Sequence, residues 1–360
     1  MNIEMLIAPM AAGLGALLDY LSAHVITCLV PAFFIAGAIA AVLSKEAILK
    51  YFGADAKKWI SYSIASISGT ILAVCSCTIL PMFAGIYKKG AGIGPAITFL
   101  FSGPAINLLA IVFTASVLGL GLGAARAVGA ISMSIIIGLI MAAIFRETKE
   151  SGAQMPAAAP VNPEPASKRP WFISLAFFVL LVAILLIAAV SSELLPWTPK
   201  LAVVYFLTVA VAVLLIFYYT KDEVKAWAHE TGWLAKMIFP ILLVGVFVTG
   251  VIGYFMPYDL VRQVVGGNSI LSCFIASVIG AVLYMPTLLE VPIVGTLFGY
   301  SQGVIGGGPA LALLLAGPSL SLPSMLVIWR TIGWKKAGAY IALVIVISTF
   351  VGFVYGGVIG

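Results

Sequence analysis

Residues 75–107 read CSCTILPMFAGIYKKGAGIGPAITFLFSGPAIN, an apolar stretch whose only charges are those of Lys88 and Lys89. It holds two cysteines separated by one residue and two Gly-Pro pairs. Proline removes a backbone donor, and glycine lets another backbone or a substrate come close. The stretch therefore predicts helices that are broken rather than one straight helix.

The composition of the whole chain places this stretch in a membrane. Of 360 residues, 62% are hydrophobic and only 9% are charged, whereas soluble domains carry about 25% charged residues. A water-facing surface needs more charge than this, so we expect an all-α polytopic membrane protein. The formal net charge of +6 then reports on topology and does not indicate a nucleic-acid partner.

Apolar runs bounded by charge or proline mark the membrane segments, and those near 20 residues have the length of a bilayer-crossing helix. The predicted segments are 22–43, 59–87, 92–118, 127–145, 171–191, 201–218, 237–256, 268–300, 309–328 and 337–357. Residues 146–170 differ, since they contain five prolines, seven charges and no apolar period. They predict a flexible linker between two halves.

Part of the first half recurs beyond this linker. The offset is 211 residues at first and 214 after a short insertion. Ordered glycine and proline matches at a near-constant offset indicate an internal duplication. The clearest matches are Ile64-Ala65-Ser66 with Ile275-Ala276-Ser277, Pro81 with Pro292, Gly94-Pro95-Ala96 with Gly308-Pro309-Ala310, and Gly103-Pro104 with Gly317-Pro318.

The topology depends on segments 59–87 and 268–300. If each crosses once, the chain has ten spans, and the basic residues of the loops divide almost evenly between the two sides. If each is a re-entrant hairpin, eight spans remain and only Arg126, Lys200 and Arg262 lie outside. The second arrangement obeys the positive-inside rule, so it is the one predicted.

Five crossings then separate the two repeats, which predicts that they are inverted, as in many secondary transporters. The predicted organisation is a first membrane repeat at 1–145, the cytoplasmic linker at 146–170, connecting transmembrane helices at 171–218 and a second repeat at 219–360. The first repeat contains the hairpin 59–87 and the second contains the hairpin 268–300.

Candidate chemistry concentrates at the hairpin tips. The first tip offers the thiols of Cys75 and Cys77, and soft thiolates select soft species such as Cu(I) or trivalent arsenic. The second offers Glu290, an acidic residue well inside a predicted membrane segment, where charges face a cavity or a partner. Glu290 is therefore the candidate proton-coupling group. Buried cysteines also serve as small hydrophobic residues, and Glu290 as a structural hydrogen-bonding group.

Other residues join the predicted site through the helix breaks. Ser102, Asn107 and Ser321 are expected either to line the substrate path or to satisfy backbone groups freed by the breaks. Cys28 and Cys273 are expected to be packing residues, although either is able to supply a third thiol. The residues expected to break or gate helices are Pro81, Gly103, Pro104, Pro292, Gly317 and Pro318.

The stretch 75–107 resembles the ArsP-type predicted permease family. Three motifs carry the resemblance: Cys75, Cys77 and Pro81 in a CxC-x-x-x-P pattern, a basic pair followed by Gly90, and S-G-P-A-x-N from Ser102 to Asn107. The resemblance extends to the span pattern and the central linker, so it covers most of the chain. It implies export of trivalent arsenicals, methylated and aromatic ones included.

The expected function is therefore secondary-active efflux of a thiophilic metalloid species, without a cofactor and without enzymatic chemistry. Two other classes stay open, a membrane thiol redox enzyme and a permease or channel for an unrelated solute. The absence of a GxxxxGK[ST] motif argues against ATP hydrolysis by this chain. We expect a multi-pass protein of the plasma (inner) membrane whose partners are the lipid bilayer and a small metalloid substrate, and a homodimer is left open.

Overall fold

A computed structural model describes residues 3–22, 25, 29–42, 51–53, 56–72, 76–145, 171–189, 196–255, 264–283, 285 and 289–359. Among these residues all regular secondary structure is helical. The predicted linker 146–170 lies outside this part of the chain. The helices are α1 (Ile3–Tyr20), α2 (Val30–Val42), α3 (Lys58–Leu72), α4 (Ser76–Lys88), α5 (Ile93–Ala105), α6 (Leu108–Val117), α7 (Leu120–Ile144), α8 (Trp171–Ala189), α9 (Trp197–Tyr218), α10 (Lys221–Tyr254), α11 (Ile270–Val282), α12 (Gly307–Ala316), α13 (Leu322–Ile332) and α14 (Trp334–Ile359).

Four of these helices, α7, α9, α10 and α14, are long and apolar enough to cross a membrane. Helices α5 and α6 are long and apolar enough only when taken together, and they are bent by 41° at the break between them; they make a fifth span if the bent pair crosses as one. Several shorter apolar helices accompany them. The prediction of an all-helical polytopic membrane protein is confirmed, while the count of eight crossings and the inversion of the repeats stay predictions.

Helices α3 and α4 run in opposite directions along α5. Tyr62 lies against Gly94, and Ser102 further along α5 donates to the carbonyl of Ala65, so α3 runs parallel to α5. Ile79 near the start of α4 lies against Gly103 near the end of α5, so α4 runs antiparallel to it. The chain from 58 to 88 thus returns to the side from which it starts. This is the path that the re-entrant hairpin requires.

The two repeats share a close helix contact made by glycines. In the first half Gly94 of α5 faces Gly138 of α7, and in the second half Gly308 of α12 faces Gly352 of α14. A Cβ on any of these four glycines would lie within 3 Å of a carbonyl oxygen on the facing helix. Small residues allow helix backbones to approach in this way inside a membrane. Both pairs are related by the offset of 214 residues.

A hydrogen-bonded serine pair also recurs. Ser66 of α3 lies 3.4 Å from Ser134 of α7, Oγ to Oγ. Ser348 of α14 donates to Ser277 of α11 at 3.0 Å. The offset is 211 residues between Ser66 and Ser277 and 214 residues between Ser134 and Ser348, as in the sequence repeat. Each repeat therefore contains the same three-helix unit, α3–α5–α7 and α11–α12–α14.

Helix α10 connects the remaining elements and is longer than expected. It begins at Lys221, and the N-cap residue Thr220 forms a reciprocal capping box with Glu223. Its 34 residues extend over about 51 Å, whereas the hydrocarbon core is about 30 Å thick. The predicted span 237–256 is therefore only the apolar part of one continuous helix. Helices α1 and α2 pack along it.

The direction of α3 and α4 leads to a labelling prediction. In a cysteine-free chain, Lys57→Cys and Lys89→Cys should react with a membrane-impermeant maleimide from the same face, predicted to be cytoplasmic. Gly266→Cys, at the entrance to the second hairpin, should react from the opposite face. Labelling of positions 57 and 89 from opposite faces would show that this segment crosses once and would restore ten spans.

Candidate functional site

A fully buried ion pair joins the two halves of the chain. Arg126 lies on α7, and Glu290 begins a helical turn, Glu290–Pro292, in the second repeat. The Nη2 atom of Arg126 donates to Oε1 of Glu290, and neither side chain has any exposed surface. Nη1 of the same guanidinium donates to Oγ1 of Thr114 on α6 at 2.8 Å. The pair therefore connects α6 and α7 to the second hairpin.

The pair is not fully satisfied by hydrogen bonds. Nε of Arg126 and Oε2 of Glu290 are buried and have no partner among the described residues. Buried polar groups are nearly always hydrogen-bonded, because an unpaired one loses its interaction with water without compensation. This carboxylate thus has one oxygen free to take a further partner, such as a proton or a water molecule.

The backbone around Glu290 is irregular. The turn Glu290–Pro292 continues as a single π-helical segment, Ile293–Leu297. Thr296 donates its hydroxyl to the carbonyl of Pro292 at 2.6 Å. Such segments are rare and often occur at functional sites. At membrane depth an irregular backbone persists only where protein or water surrounds it, and Glu290 and Val291 are fully buried here.

The sequence analysis placed Arg126 outside the membrane segments, and this was wrong. Helix α7 begins at Leu120, so Arg126 lies in its second turn rather than in a loop before residue 127. Lys200, also assigned to an outside loop, lies in the first turn of α9 and is buried. One signal pointed to the ion pair. A carboxylate deep in an apolar segment needs a cation, and Arg126 directly adjoins a predicted span.

The residues after the two Gly-Pro pairs are helix caps. Oδ1 of Asn107 accepts hydrogen bonds from the backbone N–H groups of Leu109 at 3.0 Å and Ala110 at 3.4 Å, which caps α6. Oγ of Ser321 accepts from the N–H of Ser324 at 3.3 Å, which caps α13. Both caps satisfy donors that a helix start leaves unpaired. Contact with substrate stays a prediction for both residues.

The break in the first repeat lies beside the start of α4. Gly103 faces the side chain of Ile79, and a Cβ at Gly103 would approach Ile79 Cδ1 to 2.9 Å. Ser102 is buried and donates to the carbonyls of Ala65 and Phe99 at 3.3 and 3.2 Å. The break thus lies beside the first turns of α4. In the second repeat Gly317 instead lies against Gly280 of α11.

Only two of the four cysteines lie within the described part of the chain. Cys75 and Cys28 lie outside the described residues, and Cys77 is in the first turn of α4. Cys273 is buried on α11 with its Sγ close to Gly308, as expected of a packing residue. Within the described ranges no cluster of three or more His, Cys, Asp or Glu side chains is able to hold a metal ion.

A mostly apolar cavity of about 200 Å³ lies between α10 and the second repeat's segment 268–300. Met285 and Phe298 line it from that segment, while α10 contributes Thr249. Its lining includes Ile293, three residues after Glu290. A mostly apolar cavity with few polar groups is a common form of small-molecule site.

Comparison with known proteins agrees with this architecture. The profile of a family described as predicted permease matches residues 11–357. The UPF0718 protein MJ0584 of Methanocaldococcus jannaschii is 44% identical over 353 residues, which cover 95% of this chain and 94% of that protein. The UPF0718 protein YraQ of Escherichia coli K12 is 24% identical over 279 residues, 78% of this chain and 63% of that protein. No solved structure matches the chain.

The buried pair leads to a stability prediction. Arg126→Met leaves a buried carboxylate without its cation, and we expect the free energy of unfolding to fall by about 3–5 kcal/mol. The double variant Arg126→Met/Glu290→Leu removes both charges and should regain most of that loss. Unfolding of the purified protein in detergent measures each variant.

A second ion pair provides the matched control. Lys88 and Glu230 lie 2.5 Å apart, and each side chain keeps 17% of its surface exposed. Lys88→Met should cost about 1 kcal/mol or less, since solvent weakens the pair. Equal losses at the two pairs, or a double variant no more stable than Arg126→Met, would contradict the assignment.

Proposed function

The chain belongs to the ArsP-type family of predicted permeases, and we propose that it is a secondary-active, proton-coupled efflux permease for trivalent arsenicals or similar thiophilic metalloid species. Membership of a permease family, together with the apolar spans, supports a membrane transporter. The observation that supports coupled transport is the buried Arg126–Glu290 pair between the two halves.

The proposed coupling follows from the cost of burying a charge. Transport by inverted repeats requires one half to move against the other around a central site. Such a movement separates Glu290 on the second hairpin from Arg126 on α7. An unpaired carboxylate in an apolar setting is costly, and it becomes neutral by taking up a proton. In this proposal, separation of the ion pair is therefore accompanied by uptake of a proton, which Glu290 carries.

The proposed substrate ligands are the thiols of Cys75 and Cys77. Residues i and i+2 point roughly 200° apart in a continuous helix, so two helical cysteines do not bind one atom. Cys77 lies in the first turn of α4, and Cys75 lies outside the described residues. The proposal therefore requires a non-helical backbone at the tip, as the predicted hairpin does. Binding of a soft metalloid by thiolates also releases protons, which links substrate to the proton gradient.

The breaks complete the proposed site. Ser102, Asn107 and Ser321 lie at or beside the two Gly-Pro breaks, where exchange of a capping bond for a substrate contact requires only a local change. Pro104, Pro292 and Pro318 lie at or near the places where helices end, and Gly103 and Gly317 allow the close approaches described above. Pro81, which was expected to break a helix, lies instead inside the continuous helix α4. In the proposed arrangement eight spans and two inverted re-entrant hairpins lie in the plasma membrane, and linker 146–170 is cytoplasmic.

Uptake into everted membrane vesicles tests the function. Vesicles that contain the protein should accumulate trivalent methyl- or phenylarsenicals, or arsenite, when their interior is acidic relative to the medium. They should lose this accumulation when an ionophore collapses the pH gradient. Glu290→Gln keeps the size of the side chain but does not titrate. We expect this variant to bind the substrate while failing to accumulate it against a gradient.

Two results would contradict this prediction. Accumulation by Glu290→Gln with the pH dependence of the parent would make Glu290 structural and require another proton path. Gradient-independent equilibration of the substrate by the parent protein would indicate a channel, because a channel needs no titrating carboxylate.

The thiol proposal gives a separate prediction. Cys75→Ser and Cys77→Ser keep size and polarity but remove the soft ligand, so each should lose most resistance to trivalent organoarsenicals in cells. Cys273→Ser is the matched control, since Cys273 packs against Gly308 and should keep resistance. Immunoblots of membranes verify equal abundance. Full protection by both single variants and by their double would make these cysteines packing residues and the substrate something other than a thiophile.

A further inference from the structure

A second cavity lies at the start of α5, away from the hairpin tips. Its volume is about 410 Å³, and it is enclosed by the start of α3, the start of α5 and the end of α7. Lys58, Ser61 and Tyr62 line it from α3, and Gly94 lines it from α5. No acidic residue belongs to the described lining.

The same place in the second repeat is occupied by the protein itself. Oδ1 of Asn268 accepts a hydrogen bond from the N–H of Gly308, in the first turn of α12, at 3.0 Å. A Cβ on Gly306 or Gly356 would collide with the Asn268 side chain, so this amide fills the space fully. Ser272 beside it donates its hydroxyl to the carbonyl of Val264 at 3.0 Å. Every donor named here has an acceptor.

In the first repeat the equivalent donors lack an acceptor. Gly94 corresponds to Gly308, and its N–H has no hydrogen-bond partner among the described residues, since the cap residue Gly92 has no side chain to offer. Ser61 corresponds to Ser272; it is 1% exposed, and its hydroxyl has no partner. The residue that corresponds to Asn268 is Lys57, which has no acceptor in its side chain.

We propose that a phosphate group, from a phospholipid headgroup or from a soluble anion, binds in this cavity. Within the described part of the chain the N–H of Gly94 and the hydroxyl of Ser61 are unpaired donors, and Lys58 adds a positive charge on the same wall. A helix start favours negative charge, and a phosphate oxygen accepts several such bonds at once. The anion takes the place that the carbonyl of Asn268 has in the second repeat.

The location fits either source of the phosphate. Trp59 follows Lys58 directly and is 84% exposed, as is typical of tryptophans at the membrane–water interface. Phospholipid headgroups lie at that depth, and basic pockets near helix ends bind them. Lys58 in the lining is exposed, so a soluble phosphate is also able to reach this wall of the cavity.

Thermal unfolding of the purified, delipidated full chain tests the proposal. Three additives are titrated separately: dioleoylphosphatidylglycerol, inorganic phosphate, and dioleoylglycerol, which carries the same acyl chains without phosphate. A ligand that binds the folded state raises the unfolding temperature in a concentration-dependent way. Lys58→Gln and Ser61→Ala should each weaken the response to the phosphate-bearing ligand roughly tenfold. Lys225→Gln, which removes an exposed lysine of α10 outside the lining, is the control and should titrate like the parent.

The pattern of responses identifies the ligand or overturns the proposal. A response to the phospholipid alone assigns the site to a headgroup, and a response to inorganic phosphate assigns it to a soluble anion. The proposal is overturned if dioleoylglycerol stabilises as well as the phospholipid and phosphate has no effect. It is equally overturned if Lys58→Gln and Ser61→Ala titrate like the parent, because the stabilising group would then bind elsewhere.

Discussion

Inside a bilayer each backbone N–H and C=O must find its hydrogen-bond partner within the protein, and this constraint shapes the whole chain. The described secondary structure is helical because a helix satisfies those groups within one segment. Where glycine and proline interrupt a helix, the freed groups need substitutes. Asn107 and Ser321 provide them at equivalent places in the two repeats. A transporter with broken helices therefore depends on its caps as much as on its apolar surfaces.

The Arg126–Glu290 pair meets a similar requirement for charge, because a buried charge also needs a partner within the protein. Its two members lie far apart in sequence, and their repeat equivalents are Tyr340 and Ile79, so the duplication does not produce the pair twice. The pair is thus an asymmetric feature in a duplicated frame. It lies where the first and second halves meet, which makes its separation sensitive to any movement between them. A proton is the smallest group able to offset the cost of that separation.

Comparison of the two repeats shows which contacts are common to both halves and which residues differ between them. The glycine pairs and serine pairs are retained in both halves, so they are features of helix packing. Differences at equivalent positions are more informative. Asn268 accepts a hydrogen bond from the start of α12, whereas the equivalent residue Lys57 has no acceptor in its side chain. Cys75 and Cys77 have no cysteine equivalents in the second repeat, and Glu290 has Ile79 as its equivalent in the first.

Local patterns of residues were enough to predict the class of protein, the internal repeat and most of the places where helices break. Composition, apolar periodicity and the Gly-Pro matches are local properties, and they persist in any conformation of the chain. The depth of Glu290 in an apolar segment was also evident in this way. The sequence did not place Arg126, because a residue at the edge of an apolar run is equally compatible with a loop and with a helix turn.

Only the tertiary structure decided which groups meet. The contact of Arg126 with Glu290, the capping roles of Asn107 and Ser321, and the unpaired donors at Ser61 and Gly94 depend on how α3, α5, α6 and α7 pack. Hydrogen bonds and ion pairs act over a few ångströms, and residues 164 positions apart reach that distance only when the whole fold brings them together.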